Sequence, residues 1–354
     1  MSRPTPSIGF IGIHSGGRLG QAVSQSEVLV GHFTADGSRV RHASSLRHPV
    51  LRTLHQAVAV LAWRHVGVVV IDVFSGRSFR MAELTSWLAR LRGRRVVLFL
   101  HGGGLGGFGP AHRRRVERVL QRADLVLAPS EFLAGVFRPW GHEVRVIPNV
   151  VGVDPSTAPA RSEARPALLW MRTFHEDYDP LMAVRCLARV LDDLPDAHLT
   201  MAGADHGLLE TTRREAGRLG IGDRVSFPGY LDDAGKRREM ADHDVFLNTN
   251  VVDNSPVSLI EAAASGLVPV ATAVGGVPYL VSDGQDGILV PAGDHEAMAE
   301  AVVALVRDPA RFRTLSEGAR RMARRSTWPQ VRRRWMDELA FVAPASFGAQ
   351  EAPR

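Results

Sequence analysis

Residues 245–266 read VFLNTNVVDNSPVSLIEAAASG, a short apolar run followed by a polar loop and a second apolar stretch that ends in glycine. The run 245–248 predicts a buried strand. Asn254 or Ser255 suits the N-cap of the helix that follows, and Pro256 suits its first position. A strand that leads directly into a helix is the repeating unit of parallel sheets, so the segment predicts an α/β fold.

Two acidic residues interrupt this otherwise apolar segment. Glu261 lies about a turn and a half inside the predicted helix, and Asp253 lies in the loop before it. The backbone N–H groups of Val257, Ser258 and Leu259 would form an anion site at the helix start. One acid could then reach a ribose and the other a sugar. The alternative is that Glu261 marks the solvated face of an amphipathic helix.

Apolar runs alternate with helical patterns along the whole chain. We predict further strands over residues 8–13, 66–73, 95–100, 125–128, 144–147, 167–171, 198–202, 224–227, 268–272 and 287–290. The pattern breaks at 151–166, where three prolines crowd a short polar segment that we interpret as a linker. We therefore expect two Rossmann-like domains, residues 1–152 and 153–327, followed by a C-terminal helix and tail over 328–354.

Length and composition indicate a soluble protein with large cores. The chain has 354 residues, of which 45% are hydrophobic, and this length also favours two domains. No apolar stretch approaches the length of a membrane span, and no signal peptide pattern is present. We expect a cytoplasmic location, with the inner membrane surface as an alternative. The single cysteine, Cys186, excludes an intrachain disulfide and is expected in the core.

The positive charge of the chain is almost entirely arginine. The net charge is +6, and Lys236 is the single lysine. The densest runs are Arg113–Arg115 with Arg118 and Arg122, Arg320–Arg321, Arg324–Arg325 and Arg332–Arg334. In the first run the apolar residues form a helical stripe, so we expect its arginines on a solvated face. A docking surface for anionic lipid or an acidic acceptor is the alternative. Aromatic residues are not interleaved with the arginines, which argues against nucleic acid.

Two glycine-rich loops follow predicted strands of the first domain. Gly16 and Gly17 allow the backbone to approach a phosphate closely, although a plain turn explains them equally well, and no P-loop pattern follows. The stretch His101 to Gly107 ends another strand, where ligands of open parallel sheets are bound. We interpret it as a flexible loop that holds an acceptor or a sugar, with a structural turn as the alternative.

The same loop also matches a dinucleotide-binding fingerprint. Gly102, Gly104 and Gly107 have the required spacing, and Asp124 lies about the right distance further on. The position argues against this interpretation, because the fingerprint belongs at the first strand of its domain and needs its acid at the end of the second strand. Asp124 instead precedes a predicted strand.

Charged and glycine residues follow two strands of the second domain. Arg172 lies just past a strand end, where its guanidinium suits a diphosphate. Gly275 and Gly276 follow the strand 268–272 and offer further backbone N–H groups. Two acid-x-acid patterns, 177–179 and 242–244, could indicate a divalent metal, but such triplets arise often by chance. We expect no metal.

These residues together resemble the retaining glycosyltransferases of family 4, which have the two-domain GT-B fold. The resemblance is carried by the Gly16-Gly17 loop, His101-Gly102, Arg122 to Ser130, Ile147 to Val150, Arg172, Gly203 and the block Asp253 to Gly293. That last block is the most specific. The resemblance implies parallel sheets that face a central cleft, and a terminal helix around Trp328 that crosses back onto the first domain.

The resemblance also implies roles for individual residues. Glu261 would bind the nucleotide ribose, Asp253 would lie near the donor sugar, and Arg172 would hold the diphosphate. His101 would lie beside the reacting sugar. The implied donor-binding residues are Glu261, Gly16, Gly17, Ser258, Leu259, Gly275 and Gly276, the implied catalytic residues are His101, Asp253 and Arg172, and Gly102 and Gly103 lie on the acceptor side.

Three residues depart from the family pattern. Asp253 stands where glutamate is most usual, Tyr178 where many members have a lysine on the diphosphate, and Tyr279 where a glutamate often follows the Gly-Gly-x-Pro turn. These departures leave the donor sugar open.

The expected function is metal-independent transfer of a hexose-type sugar from a nucleotide diphosphate donor to an acceptor hydroxyl, with retention and without a cofactor. Capsule or exopolysaccharide units on a lipid carrier, glycolipids and small glycosides are candidate acceptors, and peripheral membrane contact is a candidate property. Epimerase-like chemistry on the same fold and a non-catalytic scaffold are the alternatives.

Overall fold

The computed structural model describes residues 7–14, 23–46 and 48–342. The chain divides into two compact units. The first unit comprises Met1–Val150 and Trp328–Arg354, and the second unit comprises Val151–Thr327.

The first unit is a parallel six-stranded sheet with helices on both faces. Its elements up to Val150 are β1 (Ile8–Ile11), α1 (Gln25–Ala35), β2 (Val40–Ala43), α2 (Pro49–Ala62), β3 (Val68–Val73), α3 (Phe79–Leu91), β4 (Arg95–Leu100), α4 (Leu105–Ala111), α5 (Arg113–Leu120), β5 (Leu125–Ala128), α6 (Glu131–Phe137) and β6 (Val144–Val146). The strand order is β2-β1-β3-β4-β5-β6. Each neighbouring pair is parallel, as expected for strands linked by helical crossovers.

The second unit repeats this architecture. Its elements are β7 (Ala167–Met171), α7 (Pro180–Asp193), β8 (His198–Ala202), α8 (Leu209–Arg218), β9 (Val225–Gly229), α9 (Asp233–Asp242), β10 (Val245–Asn248), α10 (Val257–Ala264), β11 (Val268–Thr272), α11 (Val277–Leu280), β12 (Ile288–Val290), α12 (His295–Arg307) and α13 (Pro309–Ala323). The strand order is β12-β11-β10-β7-β8-β9, again parallel throughout. Both units are therefore Rossmann-like.

The last helix, α14 (Trp328–Val342), packs on the first unit. Trp335 is fully buried and meets Phe10 and Phe99 of the sheet edge-on or tilted, with ring centroids 6.3 and 5.4 Å away. Val331 and Leu339 complete the buried stripe at helical spacing. The C-terminal helix is thus part of the core of the first unit. No described helix is both long and apolar enough to cross a membrane.

The sequence prediction missed one strand. β2 (Val40–Ala43) reads VRHA and pairs with β1 at the edge of the sheet, where two of its four side chains are exposed. The strand was missed because two of its four residues are polar, and an edge strand needs less apolar surface than a central one. Several predicted strand ends were wrong by one or two residues, for example 66–73, which begins at Val68.

The strands are apolar because helices cover both faces of each sheet. Every residue of β3 and β7 is buried, and Cys186 is fully buried in the core of the second unit, as predicted. In parallel sheets of this kind, ligands bind outside the carboxyl ends of the strands. The polar residues that follow β1, β3 and β4 in the first unit, and β7, β10 and β11 in the second, are therefore the candidates for function.

Candidate functional site

The helix α10 begins at Val257, one residue later than the sequence predicted. Pro256, rather than Asn254 or Ser255, occupies the N-cap position, and no side chain caps the helix. The helix ends as predicted at Gly266, which has φ +84° and allows the Leu267 N–H to donate to the Ala262 carbonyl at 3.1 Å. The first-turn N–H groups of α10 have no partner within the helix and point toward the loop after β10.

Two glycines hold the loop after β11 against the loop before α10. A Cβ on Gly275 would lie 2.0 Å from the Asp253 carbonyl oxygen, and one on Gly276 would lie 1.7 Å from the Asn254 carbonyl oxygen. Side chains are excluded at both positions. The Gly276 N–H donates to the Asp253 carbonyl at 3.0 Å, so this amide joins the two loops. Its contact with a phosphate stays a prediction.

Asp253 is the centre of a polar cluster beside these loops. Its side chain is 11% exposed and forms an ion pair with Arg172. Asn250 Nδ2 donates to the same carboxylate, and the backbone N–H of Asn254 donates to it at 2.7 Å. The two residues predicted to meet the sugar and the diphosphate are therefore bonded to each other.

Arg172 has a second neighbour, Tyr178. The guanidinium carbon lies 4.1 Å from the centroid of the Tyr178 ring, which is a cation–π contact. The Nε atom of Arg172 is buried and has no hydrogen-bond partner among the described residues. The Ser258 hydroxyl, in the first turn of α10, is also buried and has no hydrogen-bond partner among the described residues. Buried donors without partners are rare in folded proteins, and both lie where the sequence predicted an anion.

Glu261 pairs with the single lysine of the chain. Lys236, on α9, places Nζ 3.2 and 3.4 Å from the two carboxylate oxygens of Glu261. Burial raises the pKa of Glu261 above the ordinary value of 4.5, and Lys236 opposes this shift. Burial lowers the pKa of Lys236, but Glu261 and the weaker contributions of nearby groups together outweigh that effect, and the net shift is upward. Glu261 is not on a solvated helix face, since its side chain is 13% exposed.

The first unit carries a separate polar cluster at the carboxyl ends of β1, β3 and β4. His101 is 7% exposed and lies between Phe74 and Phe99. Its Nε2 lies 3.0 Å from Oδ1 of Asp72, a buried residue of β3. The Ser26 hydroxyl donates to the same oxygen.

Asp72 was missed by the sequence prediction, although it is a lone acid in the apolar strand VVVIDV. Its Oδ2 is buried and has no hydrogen-bond partner within the described residues. A Cβ on Gly12 would lie 2.1 Å from that oxygen, so glycine at 12 leaves room for the carboxylate. A carboxylate oriented in this way fixes which nitrogen of His101 carries the proton.

His14 completes this cluster. It is 4% exposed, its ring centroid lies 4.8 Å from that of His42, and neither ring nitrogen has a partner in the described part of the chain. Burial lowers the pKa of His14, and the nearby His42 lowers it further. The predicted phosphate loop Gly16-Gly17 lies outside the described residues.

The glycine loop after β4 is shorter than predicted. Gly102 has φ +80° and Gly103 follows it in a turn, but α4 already begins at Leu105. Asp124 accepts from Arg90, Arg95 and the backbone N–H of Val96, so it is a structural residue and not a ribose ligand.

The arginine run on α5 is solvated as predicted at Arg113, Arg114 and Arg118, whereas Arg115 and the following Arg122 are partly buried. Arg115 forms a two-point ion pair with Glu83, and Arg122 donates to the Glu83 carbonyl at 2.8 Å. Asp244, from the acid-x-acid pattern 242–244, is 4% exposed and pairs with Arg161 and Arg165. These arginines support the fold.

Comparisons with known proteins agree with this geometry. Residues 25–156 match the family model described as Glycosyltransferase Family 4. Residues 165–308 match the model described as Glycosyl transferases group 1. The two matches fall in the two Rossmann-like units in turn. Together the two matches support a family 4-type glycosyltransferase.

Curated relatives include mannosyltransferases. The chain is 33% identical over 219 residues to the phosphatidyl-myo-inositol mannosyltransferase of Mycobacterium leprae, covering 60% of this chain and 57% of that protein. It is 27% identical over 330 residues to a GDP-mannose-dependent alpha-(1-6)-phosphatidylinositol monomannoside mannosyltransferase of Mycolicibacterium smegmatis, covering 87% and 85%. The match thus spans less than two thirds of the first of these relatives.

Solved structures show the same fold. Sucrose-phosphate synthase of Thermosynechococcus elongatus aligns with a TM-score of 0.75 at 19% identity, covering 96% of this chain and all of that one. The Anabaena protein HepE in complex with UDP aligns with a TM-score of 0.72 at 18% identity, covering 95% and 100%. The chain therefore has the GT-B fold that its sequence predicted.

Proposed function

We propose that this protein transfers a hexose-type sugar from a nucleotide diphosphate donor to an acceptor hydroxyl, with retention at the anomeric carbon. The observation that carries the proposal is the set of polar groups around the start of α10. Arg172 and Asp253 form one pair there, and Glu261 and Lys236 form another. A nucleotide diphosphate sugar matches these groups, because its diphosphate can bind Arg172, its sugar can meet Asp253 and its ribose can bind Glu261.

The chemistry follows from the charge that develops in the reaction. Departure of the diphosphate leaves a sugar with oxocarbenium character and negative charge on the leaving group. Arg172 and the first-turn amides of α10 are positive groups fixed in advance, and such groups stabilise developing charge more effectively than water does. In this proposal the leaving phosphate helps to deprotonate the acceptor, and neither a metal nor a cofactor is required.

The relatives support a phosphatidylinositol-type glycolipid as the acceptor and GDP-mannose as one candidate donor. A UDP-sugar is the second candidate, because the fold neighbour HepE was solved with UDP.

A thermal-shift panel tests the donor. We expect GDP, UDP or one of their sugars to raise the melting temperature of the wild type, because a ligand that binds only the folded state stabilises it by mass action. ADP and dTDP sugars serve as comparison ligands. If no nucleotide raises the melting temperature, the proposed function fails and the non-catalytic scaffold is the better interpretation.

A lipid acceptor requires contact with a membrane, and we place that contact on α2. Val50, Leu51, Leu54 and Val58 are 54 to 60% exposed and lie on one face of the helix. Trp87 and Leu91 of the neighbouring α3 are also exposed. Apolar side chains clustered on a surface in this way mark interaction sites.

The charge around α2 favours an anionic lipid surface as the partner. Residues 37–71 contain no aspartate or glutamate, but they include Arg39, Arg41, Arg47, Arg52 and Arg64. Of these arginines Arg52 lies on α2 itself and the others lie before or after it in the sequence. An apolar helix face flanked by positive charge suits the interface of anionic membranes. In this proposal the protein works in the cytoplasm at the inner membrane surface.

Vesicle sedimentation tests the membrane contact. We expect the wild type to sediment with vesicles that contain phosphatidylglycerol, and the double variant Leu54→Gln/Val58→Gln to partition about tenfold less, because it loses buried apolar area. Phe341→Gln, on α14, is the matched control, since Phe341 is 64% exposed outside the α2 face. Equal sedimentation of the three proteins would contradict the assignment of this face.

A further inference from the structure

We infer that Tyr178 is a positioning residue for the diphosphate site: its ring holds the guanidinium of Arg172 in a fixed plane, so that the unpartnered Nε–H edge is available to a phosphate. This inference rests on the proposed function for its natural ligand. The part assigned to Tyr178 depends on the aromatic face of its ring and not on a charge.

The guanidinium of Arg172 packs on the ring of Tyr178. Its guanidinium carbon lies 4.1 Å from the Tyr178 ring centroid, a separation typical of a guanidinium packed on an aromatic face. One terminal nitrogen donates to Asp253, while Nε has no partner among the described residues. All guanidinium N–H groups lie in one plane, so a residue that fixes the plane fixes the direction of each of them.

Tyr178 itself is held firmly. Its backbone N–H donates to the His175 carbonyl at 3.0 Å, and its own carbonyl accepts from the Thr249 hydroxyl at 2.7 Å. Thr249 in turn accepts from the buried Trp170 indole at 2.9 Å. The next residue, Asp179, has φ +37° and caps α7 through its side chain. The aromatic ring is therefore attached to a turn tied to two strands of the sheet.

The backbone of Arg172 is fixed as well. Its N–H donates to the Ala202 carbonyl at 3.1 Å, and Gly203 approaches so closely that a Cβ there would lie 1.7 Å from the Arg172 carbonyl oxygen. With the backbone and the guanidinium plane both set, little freedom remains to be lost when an anion binds. Binding is stronger when that ordering is already present in the free protein.

The plane matters because Asp253 competes with the ligand for the same cation. An unrestrained guanidinium could rotate to offer two N–H groups to Asp253, which is the geometry that arginine and a carboxylate prefer. The Tyr178 ring limits this rotation. The Nε–H edge then remains available for the diphosphate.

The test measures binding of two probes, inorganic pyrophosphate and the nucleoside diphosphate that binds the wild type, by titration calorimetry. We expect Tyr178→Leu, which keeps an apolar side chain but has no aromatic face, to weaken both by about fivefold. The parent nucleoside, which has no phosphate, should bind both proteins equally. The conservative variant Tyr178→Phe keeps the ring and should restore most of the affinity.

A double-mutant cycle separates positioning from general packing. In an Arg172→Lys background the Tyr178→Leu change should have little further effect, because an ammonium has no plane to align. Equal behaviour of the Phe and Leu variants, or no pyrophosphate binding by the wild type, would overturn the inference. Pyrophosphate binding that depends on Tyr178 without any nucleotide binding would uphold it and reject the proposed function.

Discussion

Glu261→Ala is expected to lower the affinity for the nucleotide donor about 100-fold. A buried carboxylate that accepts hydrogen bonds from two ribose hydroxyls contributes about 1.5 to 3 kcal/mol for each bond to the charged group. The rest of the donor site is unchanged in this variant, since Arg172, Asp253 and the start of α10 do not depend on Glu261. Calorimetric titration of wild type and variant with the same nucleotide measures the difference.

The control for this variant lies on another helix of the second unit. Glu300, on α12, is exposed, and Glu300→Ala should bind the nucleotide like the wild type. The melting temperature of Glu261→Ala should fall only slightly, because Lys236 is 28% exposed and retains Asp233 at 3.6 Å. If Glu261→Ala binds as tightly as the wild type, Glu261 is not a ribose ligand.

The pH dependence of binding gives a second measure of the same residue. Glu261 must be ionised for both of its oxygens to accept hydrogen bonds from the ribose hydroxyls, and burial raises its pKa above 4.5. As the pH is lowered, nucleotide affinity should therefore decrease. The decrease should begin at a higher pH than it would for a glutamate with an ordinary pKa. Glu261→Gln, which cannot ionise, should lose this dependence.

The effect of Glu261 on folding has the opposite sign. A carboxyl group whose pKa is raised by folding stabilises the fold most below its unfolded pKa, and this contribution is lost as the pH rises through the folded value. Mild acid thus weakens the contact of Glu261 with the ligand but increases the contribution of Glu261 to the stability of the folded protein. A parallel melting curve distinguishes loss of the site from loss of the structure.

The sequence predicted the architecture well because helices cover both faces of each sheet. Strands such as β3 and β7 are wholly buried, so their apolar runs stand out against the helices. The edge strand β2 did not stand out in the sequence, since half of its side chains face solvent. Apolar pattern reports burial, and it fails where a strand is only partly buried.

The site was harder to predict because its contacts join distant segments. Lys236 and Glu261 are 25 residues apart, on two helices, and only the fold brings them together. The pairing of Arg172 with Asp253 spans 81 residues. The use of the Gly276 amide by Asp253 depends on the close approach of two loops, which no spacing in the sequence records. Asp72 was different, because a single acid in a six-residue apolar strand was visible and went unused.

Asp72→Asn is expected to lower kcat about 100-fold with little change in donor KM. In the wild type, Nε2 of His101 donates to the Asp72 carboxylate, so Nδ1 is left as the acceptor of a hydrogen bond from a sugar or acceptor hydroxyl. The asparagine has nearly the same shape, but its neutral oxygen holds this tautomer less strongly. Loss of the orientation of a reacting hydroxyl can cost about 100-fold in rate.

Steady-state rates of sugar transfer, or of donor hydrolysis without an acceptor, measure the effect. Ser26→Ala is the matched control, because it removes the other bond to the same Asp72 oxygen and leaves the charge in place. We expect a much smaller loss of kcat there. Nitrogen NMR of the His101 ring should report a mixed tautomer in Asp72→Asn. Equal losses in the two variants would show that only packing is at stake.

A purely structural role for Asp72 is the weaker explanation on energetic grounds. Burying a carboxylate costs several kcal/mol unless its oxygens are fully hydrogen-bonded, and here Oδ2 has no partner within the described residues. A valine at this position would fit the strand without that cost. The cluster gains something else from the acid, namely a proton held on the Nε2 side of His101. If Asp72→Val kept full activity and melted higher than the wild type, this account of the first unit would be wrong.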